Sequence, residues 1–262
     1  MRPHIAAVYA FARIADDIAD EGEAPAAERQ AQLSAWQERL HAAVASSAGA
    51  DRAAFTDDKG LMLVALAHSI RSLDLPIALF DDLVSAFAQD ITTSRYDSWD
   101  EVFDYCRRSA NPVGRLVLRI AGYRDESLDR SSDALCTALQ LTNFWQDFGR
   151  DWQIGRLYIP RDAIVLNRAR EMDLNGAMLS GEWQAVLDGC LAKTREKFAA
   201  GRAVCDGVRG RLRYELRLTW HGGMRVLDAV EDAAPYLLHY RPKLGLRDVP
   251  PLVWCAARWT AS

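Results

Sequence analysis

The stretch from Ser131 to Trp152, SSDALCTALQLTNFWQDFGRDW, decides the fold. Its apolar members Leu135, Cys136, Ala138, Leu139, Leu141, Phe144, Trp145 and Phe148 cover most of a helical wheel. Gln140, Asn143, Asp147 and Asp151, in contrast, fall within an arc of about 80° at roughly 100° per residue. A helix that is apolar on most sides is buried, and a polar stripe on it must face a polar cavity or a partner, because an unpaired buried carboxylate is costly. The reading is one long helix over about 131–152, ended by Gly155.

Outward from this helix the same periodicity recurs. Leu33, Trp36, Leu40 and Val44 are spaced by three and four. Pro76 opens a helix from Ile77 to about Asp90, as a first-turn proline does. Ser98-x-x-Glu101 reads as a capping box before Val102 and Tyr105. Pro112 starts a helix running through Leu116, Leu118 and Ile120 to Gly122, and two more fit Glu182 to Asp206 and Arg211 to Val230. Ala45 to Ala50 and Arg209-Gly210 read as connectors. No segment alternates with period two between turn residues, so the expectation is one all-α domain over 1–262, a helical bundle around a central apolar cavity.

Composition removes several function classes. With 262 residues, half of them hydrophobic, the chain can bury a substantial core. A formal charge of −4 gives no basic excess, so nucleic acid is not an expected partner. Cys106, Cys136, Cys190, Cys205 and Cys255 form no C-x-x-C and no metal spacing; they read as reduced, small buried residues of a cytoplasmic protein. The five histidines are dispersed, and no nucleotide-binding glycine loop or G-x-S-x-G elbow occurs. No run of apolar residues is long enough to span a bilayer. Val249 to Trp259 is apolar, with Pro250-Pro251 and two tryptophans; packing on the core is the expectation, and a peripheral contact with the inner membrane is the alternative.

A second acidic motif, Asp16-Asp17-Ile18-Ala19-Asp20, lies far upstream of Asp147-Phe148-Gly149-Arg150-Asp151. Carboxylates four residues apart on a helix sit about 6 Å apart along one face, where their like charges are mildly destabilising. Two such pairs point to a cation. Hard carboxylate oxygens suit Mg²⁺, which keeps waters and binds substrate phosphate when few carboxylates hold it. With an apolar interior, this suggests metal-assisted departure of pyrophosphate from a greasy substrate and shelter of the resulting carbocation against aromatic faces. Arg13, Arg150 and Arg156 are near enough in sequence to bind a diphosphate. Arg13, three and four residues before Asp16 and Asp17, equally fits a neutralising ion pair, and the first motif also fits an ordinary amphipathic surface helix.

At these residues the chain resembles the squalene and phytoene synthase family. The resemblance covers nearly the whole length. It rests on Ala7-Val8-Tyr9-Ala10-Phe11-Ala12-Arg13 leading into Asp16-Asp17-x-x-Asp20, on Tyr105-Cys106 followed by Val113-Gly114, on Gln140-Leu141-Thr142-Asn143 leading to Asp147 and Asp151, and on Gly155-Arg156-Leu157-Tyr158-Ile159-Pro160. The resemblance implies that Asp16, Asp17, Asp20, Asp147 and Asp151 are the metal-side carboxylates, with Mg²⁺ as cofactor and a prenyl diphosphate as substrate. It implies Tyr9, Arg13, Tyr105, Gln140 and Asn143 at the diphosphate and cation site, Tyr105 among the catalytic residues, and Arg156, Tyr158 and Arg241 as further substrate contacts.

Departures from the family pattern narrow the expectation. Head-to-head coupling members usually read Asn-Ile-Leu-Arg-Asp where this chain reads Asn143-Phe144-Trp145-Gln146-Asp147. They tend to carry Ala-Gly-x-Val-Gly where it has Ser109-Ala110-Asn111-Pro112-Val113-Gly114, and Gly222-Gly223 stands where some relatives have an aromatic. These features resemble the hydroxysqualene synthase branch of hopanoid biosynthesis, which implies conversion of presqualene diphosphate and water to hydroxysqualene and pyrophosphate without NADPH. Asn111, Gln146 and Tyr105 are the candidates for placing the water. Alternatives are coupling of two farnesyl diphosphates, a terpene cyclase, or a non-catalytic helical assembly protein. Family members usually begin about a helix earlier, whereas Met1 here falls at the start of the next helix. The sequence sets no oligomeric state.

Overall fold

The computed structural model describes residues 1–20, 24–46 and 55–259, and among them every regular element is a helix. The helices gather into two compact units, Met1–Thr93 with Pro112–Arg124, and Ser94–Asn111 with the chain from Asp125 onward. The connector expected over 45–50 lies mostly outside the described residues.

The first unit holds α1 (Arg2–Asp20), α2 (Ala26–Ala45), α3 (Asp58–Leu73), α4 (Ala78–Asp90) and, after α5 (Trp99–Ser109) of the second unit, α6 (Asn111–Ile120) from Pro112 on. Its core forms around Phe11, which stacks on Trp36 at 5.6 Å and meets the edge of Phe80 at 5.4 Å. Leu33, Trp36 and Leu40 are buried as their spacing requires; Ala43 completes the row and Val44 packs at its edge. Asp57 caps α3 by accepting from the Gly60 N–H.

The second unit holds α5, α7 (Glu126–Gln146), α8 (Phe148–Gln153), α9 (Arg161–Leu166), α10 (Gly181–Gly201), α11 (Val204–Gly207), α12 (Gly210–Asp232) and α13 (Val249–Arg258). The α7–α10 contact is its backbone. Trp145 is fully buried there and donates its indole N–H to Thr194, whose hydroxyl donates in turn to the Cys190 carbonyl. Every polar atom on this path is paired, which is what permits it inside an apolar core.

Several helix boundaries differ from the sequence reading. The long helix starts five residues early, because the Asp125 carboxylate accepts from the N–H groups of Ser127 and Leu128 and caps it. It also breaks at Asp147 and does not run on to Trp152. The expected helix over 182–206 ends at Gly201, where the Ser131 hydroxyl reaches across from α7, accepting from Val204 N–H and donating to the Ala200 carbonyl. The capping box at α5 is shifted: Ser98 accepts from Glu101 N–H as expected, but the Glu101 carboxylate takes the Asp97 N–H. Cys106, Cys190 and Cys205 are buried, Cys136 is half-buried and Cys255 is exposed, so the small-core reading fails at Cys255. Among the described residues, no helix is long and apolar enough to cross a membrane.

Candidate functional site

The first aspartate motif closes α1. Burial of Ala7, Val8, Phe11, Ala15 and Ala19 turns one face of the helix inward and leaves the polar face outward. On that face Arg13 bridges both neighbours: one terminal nitrogen lies 3.0 Å from Asp16 and the other 2.7 Å from Asp17. All three side chains keep more than a third of their surface in water, so the pairing itself adds little stability. Asp20 is the last helical residue and is exposed, as is Tyr9 at 69%. Tyr9 is therefore a surface residue in this structure.

The second motif is built differently. Asp147 sits at the break between α7 and α8, with φ −93° and ψ 6°. The ladder survives the break, since Asp147 N–H still reaches the Asn143 carbonyl and Asp151 N–H the Asp147 carbonyl, at 2.9 and 3.0 Å. The two carboxylates thus keep their four-residue relation while α8 changes direction. Gly149 explains the new direction. A β-carbon there would stand 2.6 Å from the carbonyl carbon of Leu238, and closer still to the carbonyl oxygens of Leu237 and Leu238. Only a residue without a side chain lets α8 lie against this backbone.

That contact brings Arg241 to Asp147. The guanidinium donates through Nε and a terminal nitrogen to both carboxylate oxygens, and the same terminal nitrogen lies 3.2 Å from the Gln146 amide oxygen. The Gln146 amide nitrogen donates to the Pro242 carbonyl at 2.6 Å. The side chains of Arg241 and Asp147 are only 26% and 18% exposed, so this fork-to-fork pair is partly desolvated and stronger than the Arg13 pairs. The hydrogen bond that Arg241 donates to Asp147 raises the Arg241 pKa above its ordinary value, keeping it a fixed cation.

Beside the stripe stands an aromatic wall. Tyr158 stacks on Phe144 with centroids 3.7 Å apart and planes within 6°. Tyr105, buried on α5, meets Phe144, Tyr158 and Tyr96 at about 6 Å. Tyr158 is positioned by its backbone: Gly155, at φ +81°, turns the chain so that Leu157 N–H reaches the Ser94 carbonyl and Arg161 N–H the Tyr96 carbonyl. Arg156 enters the same turn by donating its backbone N–H to the Asp151 carbonyl at 2.7 Å. Gln140 is half-buried and Asn143 exposed, so the stripe on α7 has an open outer side.

The geometry thus joins Gln146, Asp147 and Arg241 in one cluster and Tyr105, Phe144 and Tyr158 in another. Sequence reasoning passed over Phe144, which falls among apolar residues, Tyr96, which sits in a polar connector, and Arg95, whose guanidinium donates to the Gly155 carbonyl at 2.6 Å and holds the turn. It read Gln146 and Asn111 as water-placing groups. In the structure both ends of the Gln146 amide are committed to the 241–242 segment, and Asn111 is buried with its amide oxygen accepting from Thr137. A cavity of about 630 Å³ opens on Ala229, Tyr236, His239, Tyr240, Pro242 and Lys243, and none of the sequence-predicted site residues lines it.

Comparison with known proteins gives the family. The squalene/phytoene synthase family model matches residues 1–248. The chain belongs to the squalene/phytoene synthase family. Its relatives include the hydroxysqualene synthase of Sinorhizobium fredii, 36% identical over 82% of this chain and 70% of that one. The hydroxysqualene synthase of Rhodopseudomonas palustris is 31% identical over 94% of this chain and 77% of its own length. Among solved structures, the squalene synthase HpnC from Alicyclobacillus acidocaldarius superposes with a TM-score of 0.79 at 35% identity, over 89% of this chain and 84% of that one. The chain is thus an enzyme of the squalene/phytoene synthase family that acts on prenyl diphosphates, and its all-α fold is that of the family's solved members.

Among the described residues no three acidic, histidine or cysteine side chains converge as a metal cage. The carboxylates occur instead as short pairs, with an arginine on Asp16 and Asp17 and another on Asp147. Each pair fits a hard cation shared with ligand oxygens, and the arginine beside each pair fits such oxygens as well.

Proposed function

We propose that this enzyme converts presqualene diphosphate and water to hydroxysqualene and pyrophosphate, with Mg²⁺ held by Asp16, Asp17, Asp20, Asp147 and Asp151. The observation that carries the proposal is the cluster of Asp147, Gln146 and Arg241 at the end of a polar stripe beside the Tyr105–Phe144–Tyr158 wall. It gives one helix, α7, a carboxylate held by a fixed cation at its end and an aromatic residue of the wall, Phe144, one turn earlier, which suits an anionic leaving group on an apolar substrate. The relatives named hydroxysqualene synthase support water as the second reactant.

Bound Mg²⁺ would supply stabilisation of the charge that develops on the departing pyrophosphate. The residues do the rest. Arg241 transfers its hydrogen bonds from Asp147 to diphosphate oxygens and orients the leaving group. The bond from the cyclopropylcarbinyl carbon to oxygen breaks, and pyrophosphate leaves with the electron pair. The cation rearranges and opens against the faces of Tyr105, Phe144 and Tyr158, whose quadrupoles stabilise it. A water oxygen then bonds to the allylic cation, and its surplus proton passes to pyrophosphate or solvent. No hydride is consumed, so no NADPH is required.

A second reading, coupling of two farnesyl diphosphates, is favoured by the likeness to the structure named squalene synthase. Incubation with Mg²⁺ and either presqualene diphosphate or farnesyl diphosphate, followed by chromatography with mass detection, separates the two. Hydroxysqualene from presqualene diphosphate, absent with Asp147→Asn and not formed from farnesyl diphosphate, is expected. Presqualene diphosphate or squalene formed from farnesyl diphosphate would transfer the assignment to coupling. No turnover, with no thermal stabilisation by Mg²⁺ and pyrophosphate together, would indicate a helical assembly protein that keeps the fold.

A further inference from the structure

We propose that the segment from Lys243 to Arg258 is a docking surface for an anionic lipid bilayer. It concentrates exposed apolar side chains among basic ones. Leu246 is 91% exposed and Trp254 58%, and Leu244, Val249 and Val253 are exposed beside them. Pro250 and Pro251 are exposed in the first turn of α13. Five large apolar groups left in water within eleven residues make a patch of the kind that marks a contact surface. The inner side of α13 is already occupied: Ala256 is buried, and Trp259 meets the edge of Trp220 at 5.4 Å with the Arg202 guanidinium 4.0 Å above it. The helix is thus anchored to α12, and its apolar outer residues have no role in holding it there.

Charge selects the occupant. The chain as a whole carries −4, yet between Tyr240 and Trp259 it has four basic residues and one acid. That acid, Asp248, is engaged by the Arg225 guanidinium and the Gly245 N–H. Arg241 is held by Asp147, which leaves Lys243, Arg247 and Arg258 as the basic groups around the exposed apolar residues, all with exposed side chains. Arg258 lies 4.1 Å over the Trp254 ring, pairing a cation with an indole as at a headgroup boundary. An acidic protein partner would satisfy the cations but not five apolar side chains. A second copy of this surface would bring like charges together. A bilayer with anionic headgroups satisfies both features, with indole and leucine below the phosphates and the basic groups among them.

The test is flotation of the full chain with phosphatidylcholine vesicles, with and without about 30 mol % phosphatidylglycerol. Binding is expected to the anionic vesicles, weak to the neutral ones, and weakened as salt rises from about 0.05 to 0.5 M. Arg247→Gln should weaken partitioning about fivefold, and Leu246→Asn with Trp254→Ser tenfold or more, on the order of one buried apolar side chain. Circular dichroism should leave both variants helical, since the substituted side chains are exposed. Absence of binding to anionic vesicles, or equal binding by the variants, overturns the proposal. So does a dimer in light scattering that these substitutions convert to monomer while vesicles bind neither form. None of these outcomes depends on which diphosphate the enzyme uses.

Discussion

Replacing Gly149 by alanine tests how the second aspartate motif is built. The added β-carbon would meet the Leu237 and Leu238 carbonyls and stand 2.6 Å from the Leu238 carbonyl carbon. Nonbonded carbon contacts are comfortable near 3.5–4.0 Å, so an overlap of about 1 Å must be relieved. Both sides of the contact are backbone, and no rotamer can give way. Overpacking of this kind costs about 1–3 kcal/mol, and two carbonyls place it at the upper end. Alanine recovers up to about 1 kcal/mol of helix propensity within α8. The net loss is then about 2 kcal/mol, or about 4–8 °C in melting temperature for a chain of this size. Gly189 is the control, because it lies exposed within α10 and a β-carbon there meets nothing within 4 Å. Gly189→Ala should raise the melting temperature by a few degrees. Thermal denaturation followed by circular dichroism gives both numbers. Hydrogen exchange should also speed up over 237–243 in Gly149→Ala, because relief of the overlap pushes that segment and the Arg241 pair away from α8. A Gly149→Ala protein that melts no lower than the parent, or that loosens elsewhere with 237–243 unchanged, would refute the close approach as the cause of the break at Asp147.

Thr194→Val keeps the shape of the side chain and strands the Trp145 indole N–H in the core; urea denaturation should show a loss of about 1–3 kcal/mol. At about pH 8, iodoacetamide should label Cys255 in the folded protein and reach Cys106, Cys190 and Cys205 only after denaturation, as peptide mass spectrometry would show. Burial reinforces this by pushing the Cys106 and Cys205 thiols up to about 12 and raising Cys190 as well. Asp125 is held below its ordinary pKa of 3.8, chiefly by the Ser127 hydroxyl and then by the Ser127 and Leu128 N–H groups. A depressed folded pKa gives stability that is present above the unfolded value and lost as pH falls through the folded one. The melting difference between parent and Asp125→Ala should therefore be full at neutral pH and shrink below pH 3.8, when followed across a pH series.

What the sequence made legible was local. The helix over α7 was readable because its apolar and polar residues separate on a wheel of period 3.6, and burial of Leu135, Ala138, Leu141, Phe144 and Trp145 follows that separation. The caps at Ser98 and the end of α6 near Gly122 were readable because each is written within a few residues. The start of α7 was missed although Asp125 is an ordinary cap, because the first turn, Glu126 to Arg130, carries little apolar signal to mark it as helix. The break at Asp147 could not be read at all. It is imposed by the carbonyls of Leu237 and Leu238, which lie in a segment without periodicity, and a glycine inside a helix does not announce what approaches it.

The same limit applies to the chemistry. The motif around Asp147 was legible, and the family resemblance named Arg241 as a substrate contact, but the pairing of the two was not legible, since 94 residues separate them. Arg150, three residues from Asp147 and read as near enough to bind a diphosphate, is exposed. Gln146 shows why the distant residue fits. Its amide oxygen accepts from Arg241 while its amide nitrogen donates to the Pro242 carbonyl, so the side chain needs one acceptor and one donor. Arginine, usual at this place in coupling members of the family, has five donors and no acceptor. It would set a second guanidinium against Arg241 and leave nothing to receive the hydrogen bond. Glutamine at 146 and arginine at 241 therefore fit together, and the positive charge beside Asp147 comes from the C-terminal segment and not from α7. A sequence read one helix at a time sees glutamine at 146 and not the guanidinium it meets, because that contact exists only once α8 has been laid against residues 237–238.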